Sequence, residues 1–565
     1  MTNISPQERE AARQEYRSVT RRDFLKGGVL GGAVAAGSMG AFYFGYGAAE
    51  GNPVRVGVLG TGDEGSVLIG AINPEYVEVK AIADIRPYNQ WRAFHGDQQI
   101  LDARCGLMAK YGWKTETEAR RHVKVYEDYR DLIAKAQDDG IEAVIIGLPL
   151  HLHAAAAIAA MKAGLHVLTE KLMGHSVHEC KEMCRFADQA RKHLATGHQR
   201  HYNILYEDAV DTIQRGVLGE LHYIRAQWHR GNRPGTDSWQ MPMPEQVKSD
   251  DPQAKKLAAE LRSWQARLAS ARGREIDLWA KKVAQKEAQL ADAVLKESAA
   301  KYGYQDKQLE GGGQKYRRPA AEELLRWRLW DRTGGGLMAE LGSHQLDAAS
   351  IFISAMHGGV KQHPISVLCA SNRPVFGLDR EADDHVCCIY EFPFPGYNPD
   401  PKSADNRKRI GVQYASINGN GYGGYGEIVY GTRGTLILER EQDVQLYRDA
   451  SASKVTTSAA GPTLDTQASG VAQTAAAASG PVSVSRGYRE QIEHWAWCIR
   501  QNPNNSDPNI HPRCYPKVAL ADAVIALTTN IAAEKQQRIE FRESWFDPDN
   551  DETPEGVAPD LSRYA

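Results

Sequence analysis

The chain has 565 residues, too many for one ordinary core, so two domains with additions are expected. At 42% hydrophobic and 25% charged it has the composition of a soluble globular protein, and a net charge of -3 with acids and bases interleaved argues against a nucleic-acid-binding surface. The 8 cysteines form no CxxC pair and no Cys/His spacing of a zinc site, so neither a disulfide scaffold nor a metal is expected.

Residues 1–50 read as an export segment. Thr20-Arg21-Arg22-Asp23-Phe24-Leu25-Lys26 precedes a Gly/Ala-rich, weakly apolar stretch reaching about Ala49. Twin arginines ahead of a mild apolar region form a Tat-type signal. A periplasmic or exported location follows, with the Tat machinery as a partner. The stretch is a poor permanent membrane span. Gly47-Ala48-Ala49 is a fair cleavage site, and an uncleaved segment would serve as an anchor.

From 51 to 173 strand and helix signals alternate. Val54 to Leu59 is a β-rich run, followed by a glycine loop and a short helix ending near Asn73-Pro74. Val77 to Ala83 alternates as a strand, 88 to 112 reads as one helix, and Val123 to Tyr126 as a short strand. Ile141 to Ile146 is a buried parallel-type strand. Ala154 to Ala163 is helical, stopped by Gly164 at a C-cap position, and His166 to Thr169 is another strand. This alternation predicts a doubly wound parallel sheet.

Residues 174 to 545 read as a second α/β unit. Its first strand is expected just before Gly197. Residues 240 to 320 read as a charged helical insertion, with Leu257, Leu261, Trp264 and Leu268 on one stripe. A hairpin packed on the body or on a partner subunit is expected there, without a cofactor role. Strands dominate from Ile365 to Leu438. The Ala/Ser/Thr/Gly-rich segment 450 to 486 reads as a flexible excursion. Helical patterns return at Tyr488 to Arg500 and Tyr515 to Glu534, and 546 to 565 form a C-terminal tail.

The loop Gly60-Thr61-Gly62-Asp63-Glu64-Gly65 follows a strand and opens a helix. Glycines there let the backbone turn tightly and approach a pyrophosphate at a helix N-terminus. Asp84 ends the next strand, 19 residues past Gly65, at the spacing of an acid that takes ribose hydroxyls. Its carboxylate favours NAD, whereas Arg86 could pair with the 2′-phosphate of NADP.

Further residues carry a family resemblance. Ile145-Ile146-Gly147-Leu148-Pro149-Leu150-His151-Leu152-His153, the helix after it, and His166-Val167-Leu168-Thr169-Glu170-Lys171 resemble the Gfo/Idh/MocA oxidoreductases. Gly334-Gly335-Gly336-Leu337-Met338-Ala339-Glu340-Leu341-Gly342-Ser343-His344-Gln345-Leu346-Asp347 resembles that family's second signature. Tyr430 to Leu436 resembles a late strand–turn–strand. The resemblance spans about 54–235 and 327–545. It departs at Leu150, where Asn is usual, at Leu172, where Pro is usual, and at Glu340, where Asp is usual.

The resemblance implies an N-terminal Rossmann domain binding NAD(P) and a C-terminal α/β domain with an open, largely antiparallel sheet, used for substrate and for homo-oligomers. It implies an NAD(P)-dependent oxidoreductase acting on a CH–OH group of a sugar, polyol or glycoside. Pro149, His153 and Glu170 become cofactor contacts, and Lys171 a substrate contact, acting as base or as a charged group polarising the oxygen. With Glu340 and His344 four apart on a helix, His344 is the candidate base and Glu340 its orienting acid. Gln199, Arg200 and Tyr202, in a polar turn, are candidate substrate contacts or a loop capping the next helix. Trp327 and Trp330 either stack on a sugar or pack in the core. A cofactor carried through export is expected to be tightly bound. Two alternatives stay open: a redox-neutral NAD-dependent glycosidase or lyase, and a non-catalytic nucleotide-binding scaffold.

Overall fold

The structure, a computed structural model, describes residues 43–49, 51–441, 443–448, 453–458, 461–464 and 485–564. The twin-arginine motif lies outside the described residues.

The first sheet has six strands: β1 (Val54–Leu59), β2 (Val77–Ala83), β3 (Lys124–Tyr126), β4 (Ala143–Ile146), β5 (His166–Thr169) and β6 (Leu194–Thr196), ordered β3-β2-β1-β4-β5-β6. All its pairings are parallel. The order reverses between β1 and β4, opening a crevice at the strands' carboxyl ends. The apolar runs of β4 and β5 are fully buried, as strands covered on both faces must be.

Two expectations fail here. The single helix expected over 88–112 is two, Pro87–His95 and Gly106–Tyr111. Gly96 breaks it at φ +75°, where a Cβ would meet the Arg104 carbonyl oxygen at 2.4 Å. The first domain also runs past 173, because β6 pairs with β5 in the first sheet, so the strand before Gly197 is this sheet's last.

The second sheet has ten strands, in the order β17-β16-β15-β14-β13-β7-β12-β11-β10-β18. They are β7 (Leu221–Trp228), β10 (Ser366–Asn372), β11 (His385–Pro393), β12 (Arg409–Ile417), β13 (Tyr425–Gly431), β14 (Gly434–Glu439), β15 (Asp443–Arg448), β16 (Ser453–Ser458), β17 (Gly461–Leu464) and β18 (Ile539–Glu540). Among the described residues only β7 and β12 of this sheet pair in parallel. The expected α/β class, with a largely antiparallel second sheet, is what the chain forms. Strands β16 and β17 extend the sheet into the start of the expected flexible excursion, and 465–484 lie outside the described residues. Helices Ser343–Met356 and Pro516–Lys535 pack beneath the sheet. The latter is apolar enough to span a membrane but is mostly buried as a core helix. Leu368 and Ile389, paired across β10 and β11, stay exposed on the opposite face. Cys387 and Cys388 point to opposite faces, as adjacent strand residues should.

The insertion is a pair of helices, Lys256–Ser270 and Arg274–Ala291, followed by a hairpin of β8 (Lys307–Gly311) and β9 (Gln314–Arg318). Of the expected stripe only Leu257 is buried; Trp264 meets Trp279 of the second helix edge-on at 6.3 Å. That second helix packs on Pro87–His95 of the first domain. The last residues of the expected export segment are part of the body. Phe44 is fully buried, and Tyr46 stacks on His494 at 5.3 Å while its hydroxyl donates to Glu493 at 2.7 Å.

Candidate active site

The glycine loop has the shape its sequence demands. Gly60 sits at φ +82°, and a Cβ there would meet the Gly147 carbonyl oxygen at 2.6 Å; one on Gly65 would lie 2.0 Å from the Gly60 oxygen. At Gly62 the nearest group is Asn89 Nδ2 at 3.6 Å, so that backbone stays approachable. Helix Asp63–Ala71 starts there with two acids. Burial works against the charge on Asp63, but Arg92, 2.7 Å away, and Arg104 outweigh it and hold the carboxyl well below its usual range. Arg92 and Arg104 thus offset the Asp63 charge beside the helix N-terminus.

Asp84 ends β2 where expected. Its carboxylate accepts the Thr61 and Arg86 backbone N–H groups, at 2.8 and 2.9 Å, and Asn89 Nδ2 at 3.0 Å. Burial raises its pKa despite these bonds. Arg86 is not free. Its Nε and Nη2 donate to Asp292 of the insertion at 3.0 and 2.9 Å.

From this turn a cleft of ≈ 470 Å³ runs to the second domain. That volume lies within the range of small-ligand sites. Gly60, Gly62, Asp63, Glu64, Asp84, Arg86, Pro149, His153, Glu170, Lys171, Glu340 and His344 all line it. Thr61 is buried beneath the turn, binding Asp84, and Gly65 packs behind it. The insertion lines the cleft too, through Met241, Tyr302 and Tyr304. The insertion, expected to have no cofactor role, thus lies at the cleft. A small core, built on Leu295 and Tyr304 of the insertion and Leu324 just after it, packs on Ile85 beside Asp84.

At the inner end, Lys171 Nζ donates to the carbonyl oxygens of Glu340 and Ala339, at 2.8 and 3.2 Å. Burial lowers its pKa, while Glu340 and Glu170 favour the ammonium. The Lys171–Leu172 peptide is cis. Glu170 keeps one oxygen unpartnered, and burial, reinforced by Glu64, pushes its carboxyl well up. A Cβ on Gly197 would lie 2.7 Å from that oxygen, which accounts for the glycine. His153 sets its two ring nitrogens 2.8 and 2.9 Å from the carbonyl oxygens of Leu172 and Leu148, and burial depresses its pKa.

The Glu340–His344 pair is not formed. Met338–Gly342 is a π-turn ahead of helix Ser343–Met356, and it changes the i,i+4 spacing that an α-helix would give. Glu340 accepts instead from Arg328 Nε at 2.8 Å, which with Lys171 holds its carboxyl below the usual range against burial. His344 is 7% exposed, and its Nδ1 has no partner among the described residues. Burial first, then Lys171 and Arg200, hold its pKa well below the usual value, so the ring is a neutral acceptor. Its ring lies 5.6 Å from that of Trp228.

The three expected substrate contacts lie elsewhere. Arg200 is buried, donating to Glu441 at 2.9 Å, Glu427 at 3.2 Å and the His344 carbonyl at 2.5 Å. Tyr202 bonds His494 and the Arg513 backbone, and Gln199 is 1% exposed. Local sequence cannot show this, because the partners stand more than 140 positions away. Of the tryptophans, Trp327 lines the cleft and Trp330 is core. Sequence reasoning missed Trp228, Arg230 and Arg328 on the substrate side. Only Arg328, beside Trp327, carried a local signal. Behind His344, His198, His201, Asp347 and Asp522 form a buried cluster. Lys361 donates to Asp522 at 2.5 Å and Asp347 at 3.3 Å, supplying a cation there.

The parallel sheet, its glycine turn and the crevice acid define a Rossmann nucleotide-binding domain joined to a mixed-sheet domain. Residues 54–198 match the Gfo/Idh/MocA model, described as an oxidoreductase family with an NAD-binding Rossmann fold. A glycosyl hydrolase family 109 protein of Shewanella sp. (strain W3-18-1) is 29% identical over 193 residues, 33% of this chain and 36% of that protein. A counterpart from Stenotrophomonas maltophilia is 29% identical over 194 residues, 33% of this chain and 38% of that protein. The chain thus spans little more than a third of the length of these curated relatives. An inositol dehydrogenase homolog from Azotobacter vinelandii, solved with NADH and myo-inositol, aligns at TM-score 0.54 and 13% identity over 87% of this chain and 99% of that one. An oxidoreductase from Pseudomonas syringae aligns at TM-score 0.52 and 12% identity over 87% and 100%. At these identities the structures speak for the fold.

Proposed function

We propose that this protein is an NAD-dependent oxidoreductase acting on a CH–OH group of a sugar, polyol or glycoside, exported with its nucleotide tightly held. The observation that carries this is a single cleft joining the glycine turn and Asp84 to Lys171 and His344. The residues fit a dinucleotide. The turn is shaped for close backbone approach, and the buried orphan oxygens of Glu64 and Glu170 await donors. Gly60, Gly62 and Asp84 would hold the pyrophosphate and ribose, and Pro149, His153 and Glu170 would surround the nicotinamide end. Bound NAD would supply the hydride acceptor. His344, neutral and with Nδ1 free, takes the hydroxyl proton. Lys171, held by two carbonyls, polarises the same oxygen as a cation. The Arg328–Glu340 pair fixes the wall opposite, and Trp228 and Trp327 offer flat faces for a sugar ring.

The exposed Leu368 and Ile389 support self-association through the second sheet. The twin arginines of the sequence support export by the Tat pathway.

Sugars, polyols and glycosides offered to the purified full chain test the reading through nucleotide reduction. Turnover lost in His344→Ala and Lys171→Ala is the expected result. Variants as active as wild type on every substrate would overturn it. The names of the curated relatives favour a second reading, in which the reduced nucleotide is reoxidised and a glycosidic link is cleaved. Reducing sugar released with no net change in NADH absorbance would select it.

A further inference from the structure

We propose that Asp292, in the insertion, sets the nucleotide preference: by claiming Arg86 it removes the cation that would receive a 2′-phosphate, and the protein takes NAD and rejects NADP. The inference rests on the nucleotide reading of the cleft.

An arginine two positions past the ribose acid is well placed to accommodate a 2′-phosphate. Here that arginine is spent. Asp292 Oδ2 accepts both Nε and Nη2 of Arg86, at 3.0 and 2.9 Å, and its Oδ1 accepts the Tyr88 backbone N–H at 3.0 Å. The Asp292 side chain is 2% exposed and that of Arg86 16%, so water screens the pair little. Withdrawing Arg86 to a phosphate would leave a buried carboxylate unpaired.

The insertion is held there by more than this pair. Gln285, on the helix leading to Asp292, bonds the Tyr88 hydroxyl and Asp97 from one amide, each at 3.0 Å. The small core of the insertion packs on Ile85, between Asp84 and Arg86.

Two further cations lining this end sit beside acids. Arg130 is bonded through Nε and Nη2 to Asp128, and Arg104 lies 3.7 and 3.5 Å from Asp63 and Asp97. A 2′-phosphate would meet the Asp84 carboxylate with Arg86 already claimed by Asp292. Two ribose hydroxyls would find in that carboxylate an acceptor to donate to.

The test incubates the full chain with equimolar NAD and NADP, removes free nucleotide, and weighs what is retained by mass spectrometry. Wild type should retain NAD over NADP by more than about tenfold, ~1.4 kcal/mol. Asp292→Asn, which keeps an acceptor for Tyr88, should shift the ratio toward NADP by about tenfold or more. Asp292→Glu should keep the wild-type preference. Adding Arg86→Gln to Asp292→Asn should cancel the shift. Equal retention by wild type, or an unchanged ratio in a folded Asp292→Asn, overturns the proposal. Should Asp292→Asn fail to fold, Arg86→Gln alone decides: an unchanged ratio is expected because Asp292 already claims Arg86, and a loss of NADP retention overturns the proposal. Retention of neither nucleotide by wild type would instead sink the nucleotide reading itself, and this inference with it.

Discussion

Arg200 separates two accounts of the same residue. As a substrate ligand, its loss would weaken substrate binding and leave the fold alone. In the structure it is 1% exposed, between Glu441 and Glu427, and donates to the carbonyl of His344. Arg200→Met keeps much of the volume and removes the charge, leaving buried Glu427 without a guanidinium and buried Glu441 with Arg486 alone. Breaking a buried pair from one side typically costs about 3–5 kcal/mol. Some of this is relieved by protonation. Burial already raises Glu427 to about 7 against the pull of Arg200, so without Arg200 it takes up a proton at neutral pH. The expected result is a melting temperature lower by roughly 3–7 °C. The loss should be larger at pH 8 than at pH 5, because Glu427 is protonated at the lower pH. Thermal unfolding followed by circular dichroism at the two pH values measures it. In the surviving folded fraction kcat falls more than KM rises, since the carbonyl that Arg200 holds belongs to His344. A variant that melts with wild type but raises KM more than about tenfold would refute the reasoning and return Arg200 to the substrate.

The pH–rate profile should be flat across neutrality. His344 is needed neutral and its pKa lies well below 6.5, so the acid limb falls below the usual histidine range. Lys171 is needed charged and its pKa is lowered from 10.5, so activity declines as pH rises through a value below that of free lysine. An acid limb near the ordinary histidine value would contradict the assignment of His344. A chain starting at residue 51 should be less stable than one starting at 43 by about 3–6 kcal/mol, the worth of two buried aromatic side chains. Denaturant unfolding of the two compares them, and equal midpoints would refute the packing of Phe44 and Tyr46. N-terminal sequencing of exported protein should correspondingly read a start before Tyr43, not after Ala49.

The legible parts of this molecule were those whose physics is local. The glycine spacing from Gly60 to Gly65 and Asp84 at the end of the next strand are read within one βαβ unit. The position of Glu170-Lys171 after β5 is read in the same way, and all of these residues except Thr61 and Gly65 line the cleft. The alternation of β1 to β5 was equally plain. Long-range pairing was illegible. Nothing near Arg86 announces Asp292, 206 positions on, and nothing near Arg200 announces Glu441. The π-turn at Met338–Gly342 defeated an argument from helical spacing, since one extra residue per turn redirects Glu340 to Arg328. The substrate-side residues Trp228 and Arg230 sit at the end of a strand whose place beside the cleft depends on the second sheet.

The central claim is that the cleft holds a nicotinamide dinucleotide that travels with the chain. Denaturing purified full-length protein and identifying released small molecules by mass spectrometry tests it most directly. The account predicts NAD, approaching one per chain. Protein that releases no nucleotide, and takes up none when NAD is added, would contradict it.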